Sequence, residues 1–252
     1  MLLHSHKVVA EINSRAILEM ASLTKIMTCL LVLELGREEG VPLTREEVLI
    51  GSFEQNIGGT SAQIRQGEVY TVWQLLHGLM LPSGNDASLA LAVWAGRRLL
   101  KRDQFRATAP CKIDLSSKKA CYERFLGEMN SKAEALCMEK TKYANSHGLS
   151  NPDNRSCAYD IAILSEYAMG NPKFQEIVSC RCFEGEVRYS SNGEELPWSC
   201  SERLSEVEMQ SEELKDAEAG IGALEQEIVQ EGEAGKGGSY STRPIRWYLI
   251  SY

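Results

Sequence analysis

The segment ASLTKIMTCLLVLELG, residues 21–36, is the most informative part of the sequence, because it places a Ser and a Lys at the head of an almost unbroken apolar run. From Ser22 to about Leu35 the residues are apolar on most sides, which predicts a buried helix that ends at the Gly and Pro residues of 36–42. Residues three apart share a helix face, so the side chains of Ser22 and Lys25 can come within hydrogen-bond distance.

This pair could carry out nucleophilic chemistry. A serine hydroxyl becomes a nucleophile only with a base beside it. Lysine serves as that base only when its ordinary pKa of about 10.4 is lowered, and desolvation in an apolar site lowers it. The start of a helix also directs free backbone N–H groups outward, where one can stabilise an oxyanion. Spacing alone decides nothing, since Ser116 and Lys119 repeat it in a polar segment. Two polar residues that happen to open a buried helix remain the alternative.

A second candidate group lies on the tight turn at 82–85, Pro-Ser-Gly-Asn, which separates two predicted helices. The helix after the turn is expected to be capped by Asp86. Ser83 and Asn85 are therefore expected on a rigid loop tip. Asn85 has a local alternative, a turn residue that bonds its own backbone. The same Ser-x-Asn spacing recurs at 190–192, inside a predicted hairpin turn.

The other segments alternate between short strands, amphipathic helices and turns, without an internal repeat. Before the second candidate group, the sequence predicts a strand at 7–12, a capping box at 44–47 and an irregular exposed loop at 56–67. A capping box at Thr71 and Gln74 starts a helix to 81, and further helices are predicted at 86–100, at 121–138 and at 157–169, the last ended by Gly170 and Pro172. A solvated polar insert is predicted at 101–120, a loop at 147–156, and a hairpin with its turn at Asn192 and Gly193.

The composition is that of a globular protein with an acidic C-terminal part. The 252 residues are 43% hydrophobic, enough for one large domain or two small ones. Residues 202–234 hold 11 acidic residues against Arg203 and Lys215, so this segment alone has a net charge of −9. Since the whole chain has a net charge of −8, the charges of all other residues together are about neutral. No basic face indicates nucleic-acid binding. The basic residues of 97–119 are interpreted as part of a solvated loop.

Cysteine content and hydropathy leave the compartment open. The eight cysteines contain no C-x-x-C, and Cys29, inside the apolar run, is expected to be a small buried hydrophobe. The sequence shows no apolar stretch long enough for a secretory signal or a transmembrane helix.

The residues around both candidate groups resemble one known family. ASLTKIMT (21–28) followed by LPSGNDASLALA (81–92) is similar to the D-alanyl-D-alanine carboxypeptidases, the low-molecular-weight penicillin-binding proteins, which carry Ser-x-x-Lys and Ser-Gly-Asn motifs. The similarity continues through YANSHGLSNPDNRSCAYDIAIL (143–164) and covers about residues 7–200. It implies an α/β (α+β) fold of the β-lactamase/transpeptidase type, with the helical subdomain intact and the antiparallel sheet incomplete.

The resemblance also implies a mechanism. Ser22 would be the nucleophile that forms the acyl-enzyme and Lys25 its base, Ser83 would relay protons to the leaving amine, and Asn85 would hold the substrate backbone or Lys25. His147 would be structural. The substrate would be a peptide ending in D-Ala-D-Ala, with β-lactams as inhibitors and with no cofactor or metal. Family members usually act outside the cytoplasm.

One family motif does not occur in this sequence. The family's third motif, Lys-Thr-Gly, opens a strand that lines the cleft, and the chain contains no such tripeptide. Lys236, followed by two glycines, is the nearest candidate, and a lysine in a Gly-rich linker is the other interpretation. We expect a carboxypeptidase-like domain at 1–200, truncated at its N-terminus, and an atypical acidic tail at 201–252 with a possible terminal strand. An inactive relative that keeps the pocket or only the fold is the alternative function. A β-lactamase is disfavoured because no E-x-x-x-N element follows the Ser-Gly-Asn motif.

Overall fold

The fold combines helices with antiparallel strands. The computed structural model describes residues 2–4, 7–55, 57–106 and 114–202. Its helices are α1 (Thr24–Glu38), α2 (Val72–Met80), α3 (Asn85–Arg106), α4 (Lys118–Ala135), α5 (Ala158–Met169) and α6 (Pro172–Val178). Its strands are β1 (Leu2–His4), β2 (Lys7–Ala10), β3 (Leu18–Glu19), β4 (Glu47–Leu49), β5 (Glu68–Thr71), β6 (Arg155–Ser156), β7 (Cys182–Tyr189) and β8 (Glu195–Ser201).

Four of these strands form one antiparallel sheet in the order β4-β5-β7-β8, while β1 pairs with β2 and β3 with β6. The longest pairing is the β7–β8 hairpin, in which Gly185 lies opposite Trp198. Its connection contains Gly193 at a φ of 71°, a conformation that glycine adopts without strain. The predicted hairpin and its turn are confirmed.

The core forms around α1. This helix packs against α2, α3, α5 and α6, and every residue of it from Thr24 to Leu33 is buried. Its large side chains meet fully buried residues of the neighbouring helices, among them Leu75, Leu91, Phe125 and Phe174. Cys29 is 0% exposed and its pKa is raised by burial, so the prediction of a small buried hydrophobe is confirmed. The apolar run therefore anchors α1 in the core, with Ser22 just before the first residue of the helix.

The start of α1 differs from the prediction, whereas its end agrees with it. Residues 21–23 form a 3-10 turn, and the α-helix begins at Thr24. The helix continues through Gly36 to Glu38, within the predicted end at residues 36–42. Gly36 has a packing role, because a Cβ on it would lie 2.6 Å from Leu43 Cδ2. The chain leaves the helix at Gly40, whose φ is 64°.

Several local predictions are corrected by tertiary contacts. Residues 44–47 start no helix: the N–H groups of Arg45 and Glu46 close a turn onto Pro42 O, and β4 follows. Basic residues predicted in a loop lie instead on α3, where Arg98 is paired with Glu39 and Glu46. Helix α6 was not predicted, although Asn171 and Pro172 supply an N-cap and a first-turn proline.

The capping box at the start of α2 is confirmed and links the helices to the sheet. The N–H of Gln74 donates to Thr71 Oγ1 at 3.1 Å, and the N–H of Thr71 donates to Gln74 Oε1 at 2.7 Å. Gln74 Nε2 then donates to the carbonyl of Glu186 in β7 at 2.7 Å. The predicted acidic tail and terminal strand, including Lys236, lie outside the described residues except for residues 201 and 202.

Candidate active site

Three of the four predicted site residues meet through their side chains at the N-terminus of α1. Lys25 Nζ lies 3.2 Å from Ser22 Oγ, and Ser83 Oγ donates to Ser22 Oγ at 2.9 Å. Ser22 comes from the 3-10 turn, Lys25 from the first turn of α1, and Ser83 from the turn between α2 and α3. The structure therefore places one hydroxyl between an amine and a second hydroxyl.

The two members of the Ser-x-x-Lys pair differ in exposure in the way a nucleophile and its base require. Ser22 is exposed, so a substrate can reach it, while Lys25 is only 2% exposed. Burial disfavours the charged form of an amine, and the positive end of the α1 dipole acts in the same direction. The repeat at Ser116 and Lys119 lacks this environment, because the side chain of Lys119 is 81% exposed.

Backbone conformation brings the two serines together. Ala21 has a φ of 44° and Ser83 a φ of 58°, both in the left-handed region that non-glycine residues rarely adopt. Such residues persist only where the surroundings hold them, and they are common at functional sites. Beside Ala21 lies Gly148, at a φ of 88°, where a Cβ would come within 1.9 Å of Ala21 O. The close approach of Gly148 helps to hold the turn that presents Ser22.

The loop at 58–64 forms a wall beside Ser83 and is held by residues of the Ser-Gly-Asn-Asp segment. Asn85 is buried, and its Nδ2 donates to Gly58 O at 2.9 Å. The Asp86 carboxylate accepts from Ala62 N at 2.8 Å and from Ser61 Oγ at 2.7 Å. Asp86 thus anchors this loop from within the first turn of α3, where the sequence predicts a simple cap. The predicted exposed loop is likewise partly buried.

The β7–β8 hairpin supports the same loop from behind. Trp198 Nε1 donates to Ala62 O at 3.2 Å, and the indole packs edge-to-face on Tyr70 with ring centroids 5.2 Å apart. Phe183 of β7 stacks on His77 of α2 at 4.0 Å. These aromatic contacts connect the sheet to the helix that ends at the Ser83 turn.

His147 contacts the site through its backbone. Lys25 Nζ lies 2.5 Å from His147 O, while His147 Nδ1 accepts from Leu149 N at 3.2 Å. The pKa of His147 is lowered to about 4, chiefly by burial, which disfavours the charged imidazole. An imidazole that is neutral at ordinary pH and is bonded within its own loop fits the predicted structural role.

Three buried polar residues near Lys25 in the fold were not predicted from the sequence. Thr28, Ser88 and Ser146 are each 0% exposed, and the hydroxyls of Thr28 and Ser88 both donate to the Ser146 carbonyl. Thr28 lies inside the apolar run, one turn after Lys25, so a polar residue in a buried helix was the available signal. Its partner at Ser146 is 118 positions away, and no local pattern indicates that contact.

The site has the parts for acyl transfer from an exposed serine: a buried amine within reach of its hydroxyl, and a second hydroxyl on the other side. Among the described residues, no three His, Cys, Asp or Glu side chains are grouped so as to hold a metal ion. In the same part of the chain, no helix has the length and apolar character needed to span a membrane. The fold and the site define the Ser-x-x-Lys class of penicillin-binding proteins.

Comparison with known proteins identifies the family within this class. The chain belongs to the D-alanyl-D-alanine carboxypeptidase family, whose sequence model matches residues 1–97 and 118–208. The unmatched residues 98–117 correspond to the end of α3 and the polar segment before α4. The prediction of the family from the two motifs is confirmed.

Individual relatives agree with this assignment. The chain is 32% identical over 160 residues to D-alanyl-D-alanine carboxypeptidase DacF of Bacillus subtilis, covering 64% of this chain and 35% of that protein. It is 31% identical over 168 residues to DacC of Escherichia coli, covering 64% and 36%. The chain thus spans about a third of the length of these curated relatives.

A solved structure confirms the predicted fold class. The crystal structure of the Streptomyces K15 DD-transpeptidase is similar to this chain, with a TM-score of 0.65 and 25% identity. The match covers 79% of this chain and 69% of that one. The mixed helical and antiparallel architecture described above is therefore similar to that of this DD-transpeptidase.

Proposed function

We propose that this protein is a serine D-Ala-D-Ala carboxypeptidase that removes a terminal D-alanine from peptidoglycan-like peptides through an acyl-Ser22 intermediate. The observation that carries the proposal is the chain of contacts from Ser83 Oγ to Ser22 Oγ at 2.9 Å and from there to Lys25 Nζ at 3.2 Å. The family assignment supports the same reaction and substrate class.

In this mechanism each side chain has one task. The neutral amine of Lys25 accepts the Ser22 hydroxyl proton as Ser22 Oγ attacks the carbonyl carbon of the penultimate D-alanine. The peptide C–N bond then breaks, and the proton held by Lys25 is passed through Ser83 to the leaving amine, which restores the neutral lysine. In the second step water attacks the acyl-Ser22 ester and gives a proton to Lys25. The bond between the acyl carbon and Ser22 Oγ then breaks, and Lys25 returns the proton to Ser22 Oγ. The Ser22 N–H, at the start of the helical segment, is the proposed oxyanion donor.

Asn85 has a different task in the proposal. Its Nδ2 is bonded to Gly58 O, so it holds the cleft wall next to Ser83. The substrate backbone would lie along this wall, so the buried Asn85 would act on the peptide through the position of Gly58. Loss of the Asn85 amide is therefore expected to weaken the wall and, through it, substrate binding.

The missing Lys-Thr-Gly tripeptide favours the second candidate, a relative that binds substrate or β-lactam without turnover. In the first proposal another cation, with Lys236 the nearest candidate, binds the terminal carboxylate. The two functions differ in turnover, since both allow binding at Ser22.

The test is release of D-alanine from a peptide ending in D-Ala-D-Ala, measured with the full chain. We expect release that is abolished in Ser22→Ala and in Lys25→Ala. The matched control is Ser116→Ala, which removes the serine of the solvent-exposed Ser-x-x-Lys repeat and is expected to leave the rate unchanged. A folded wild-type protein that binds the peptide without releasing D-alanine would establish the second candidate.

A further inference from the structure

Helix α1 contacts two consecutive backbone carbonyls of the loop at 145–149. Lys25 Nζ lies 2.5 Å from His147 O, and Thr28 Oγ1 donates to Ser146 O at 2.7 Å. Lys25 and Thr28 are three residues apart and therefore share one face of the helix. The mechanism above uses the lysine and gives no task to the threonine.

A second hydroxyl, from α3, contacts the same Ser146 carbonyl. Ser88 Oγ lies 2.7 Å from Ser146 O and 2.9 Å from Ser146 Oγ. A carbonyl oxygen has two lone pairs, and here Thr28 and Ser88 each occupy one. The orientation of this carbonyl is thus fixed from two helices in a site from which water is excluded.

The next peptide group, which carries the carbonyl that Lys25 contacts, is also held at its nitrogen. Asn145 Oδ1 accepts from His147 N at 3.3 Å and from Gly148 N at 2.6 Å. Gly148 N and His147 O belong to one planar peptide group, so the Asn145 contact restrains the direction of His147 O. The hydroxyls of Thr28 and Ser88 hold one peptide group, and the Asn145 carboxamide holds the next. Together these contacts immobilise the His147 carbonyl.

We propose that Thr28 and Ser88 are positioning residues that act through the Ser146 carbonyl to hold His147 O against Lys25 Nζ. A neutral amine has a single lone pair. When one of its N–H groups donates to a fixed carbonyl, the amine loses rotational freedom and its lone pair is directed at Ser22 Oγ. The inference rests on the proposed function in that Lys25 serves as the base, and it extends the set of residues on which that base depends.

The chemistry of the site supports a directional role over simple packing. Valine has the shape of threonine and would fill the same core position without the cost of burying a hydroxyl. The cost is offset here by bonds that all converge on one segment, residues 145–149. Groups held in this way supply the alignment on which proton transfer depends.

The test compares Thr28→Val, which removes the hydroxyl, with Thr28→Ser, which keeps it. The readout is the rate of acylation by a fluorescent penicillin per folded molecule, measured across pH. We expect the limiting rate to fall about 10- to 100-fold in Thr28→Val and to be restored to within about 3-fold in Thr28→Ser. Thr141→Val is the matched control, because its hydroxyl bonds Ser156 and Asp160 instead. It is expected to match the wild type.

A second readout does not depend on activity. The 13Cε resonance of Lys25, assigned by its loss in Lys25→Arg, is expected to move in Thr28→Val and to stay in place in Thr28→Ser and in Thr141→Val. The inference is overturned if Thr28→Val leaves both the Lys25 resonance and the acylation rate unchanged. It is also overturned if Thr28→Val is less stable than the wild type but is acylated at the same rate and with the same pH profile. If the wild type is not acylated at all, the proposed function fails, and the resonance alone decides the positioning role.

Discussion

Gly148→Ala tests how closely the loop at 145–149 packs against the turn that carries Ser22. A Cβ at this position would lie 1.9 Å from Ala21 O, 2.4 Å from Ala21 C and 2.9 Å from Ser22 N. All three are backbone atoms, so no side chain can rotate to relieve the clash. The φ of 88° adds the cost of a left-handed alanine, about 1 to 2 kcal/mol. With the displacement of the Ser22 turn included, we expect a total destabilisation of about 4 kcal/mol or more.

Gly40→Ala separates the two contributions. Gly40 also has a left-handed φ, 64°, but a Cβ added there would have nothing within 4 Å, so only the conformational cost applies. Urea unfolding of both variants measures the difference, which we expect to be at least about 2 kcal/mol. Penicillin labelling is expected to be lost in Gly148→Ala and kept in Gly40→Ala. Equal destabilisation of the two variants, with labelling intact in both, would refute the close contact between Gly148 and the Ser22 turn.

Two further predictions concern His147 and Trp198. The pKa of His147 is lowered from 6.5 to about 4, so the unfolded chain takes up a proton between these values while the folded chain does not. The free energy of unfolding is therefore expected to fall by about 3 kcal/mol as the pH is lowered from 6.5 towards 4. The same pH series on His147→Gln is expected to lack this decrease. Parallel curves of unfolding free energy against pH for the two proteins would contradict the prediction. Trp198→Phe removes the donor to Ala62 O, and we expect the free energy of unfolding to fall by about 1 to 3 kcal/mol. Urea unfolding measures this change. An unchanged midpoint would show that this hydrogen bond does not hold the loop.

The sequence predicted those parts of the fold that depend on neighbouring residues. The apolar run after Ser22 indicated a buried helix, the Thr71 and Gln74 pair indicated a capping box, and Asn192 with Gly193 indicated a hairpin turn. Each signal acts over a few positions, through helix periodicity, reciprocal capping or a positive φ. The Ser-x-x-Lys and Ser-Gly-Asn motifs also identified the residues that meet at the site.

Features that depend on distant partners could not be predicted in the same way. Asp86 has the position of a helix cap, yet its carboxylate is used by loop residues 61 and 62. In the sequence, Thr28 is a polar residue within an apolar helix, and its hydrogen-bond partner Ser146 is 118 positions away. Gly36 is one of three residues at which the sequence predicts the end of the helix, yet α1 continues through it to Glu38, and Leu43 packs over it. In each case a tertiary contact decides between two conformations that the local sequence allows.

We propose that Ser22 is the nucleophile and that Lys25 activates it. The direct test is to treat the full chain with a penicillin, digest it, and locate the covalent adduct by mass spectrometry. A single adduct is expected on the peptide that contains Ser22, absent in Ser22→Ala and formed much more slowly in Lys25→Ala. An adduct on another residue, or no adduct in a folded wild-type protein, would contradict it.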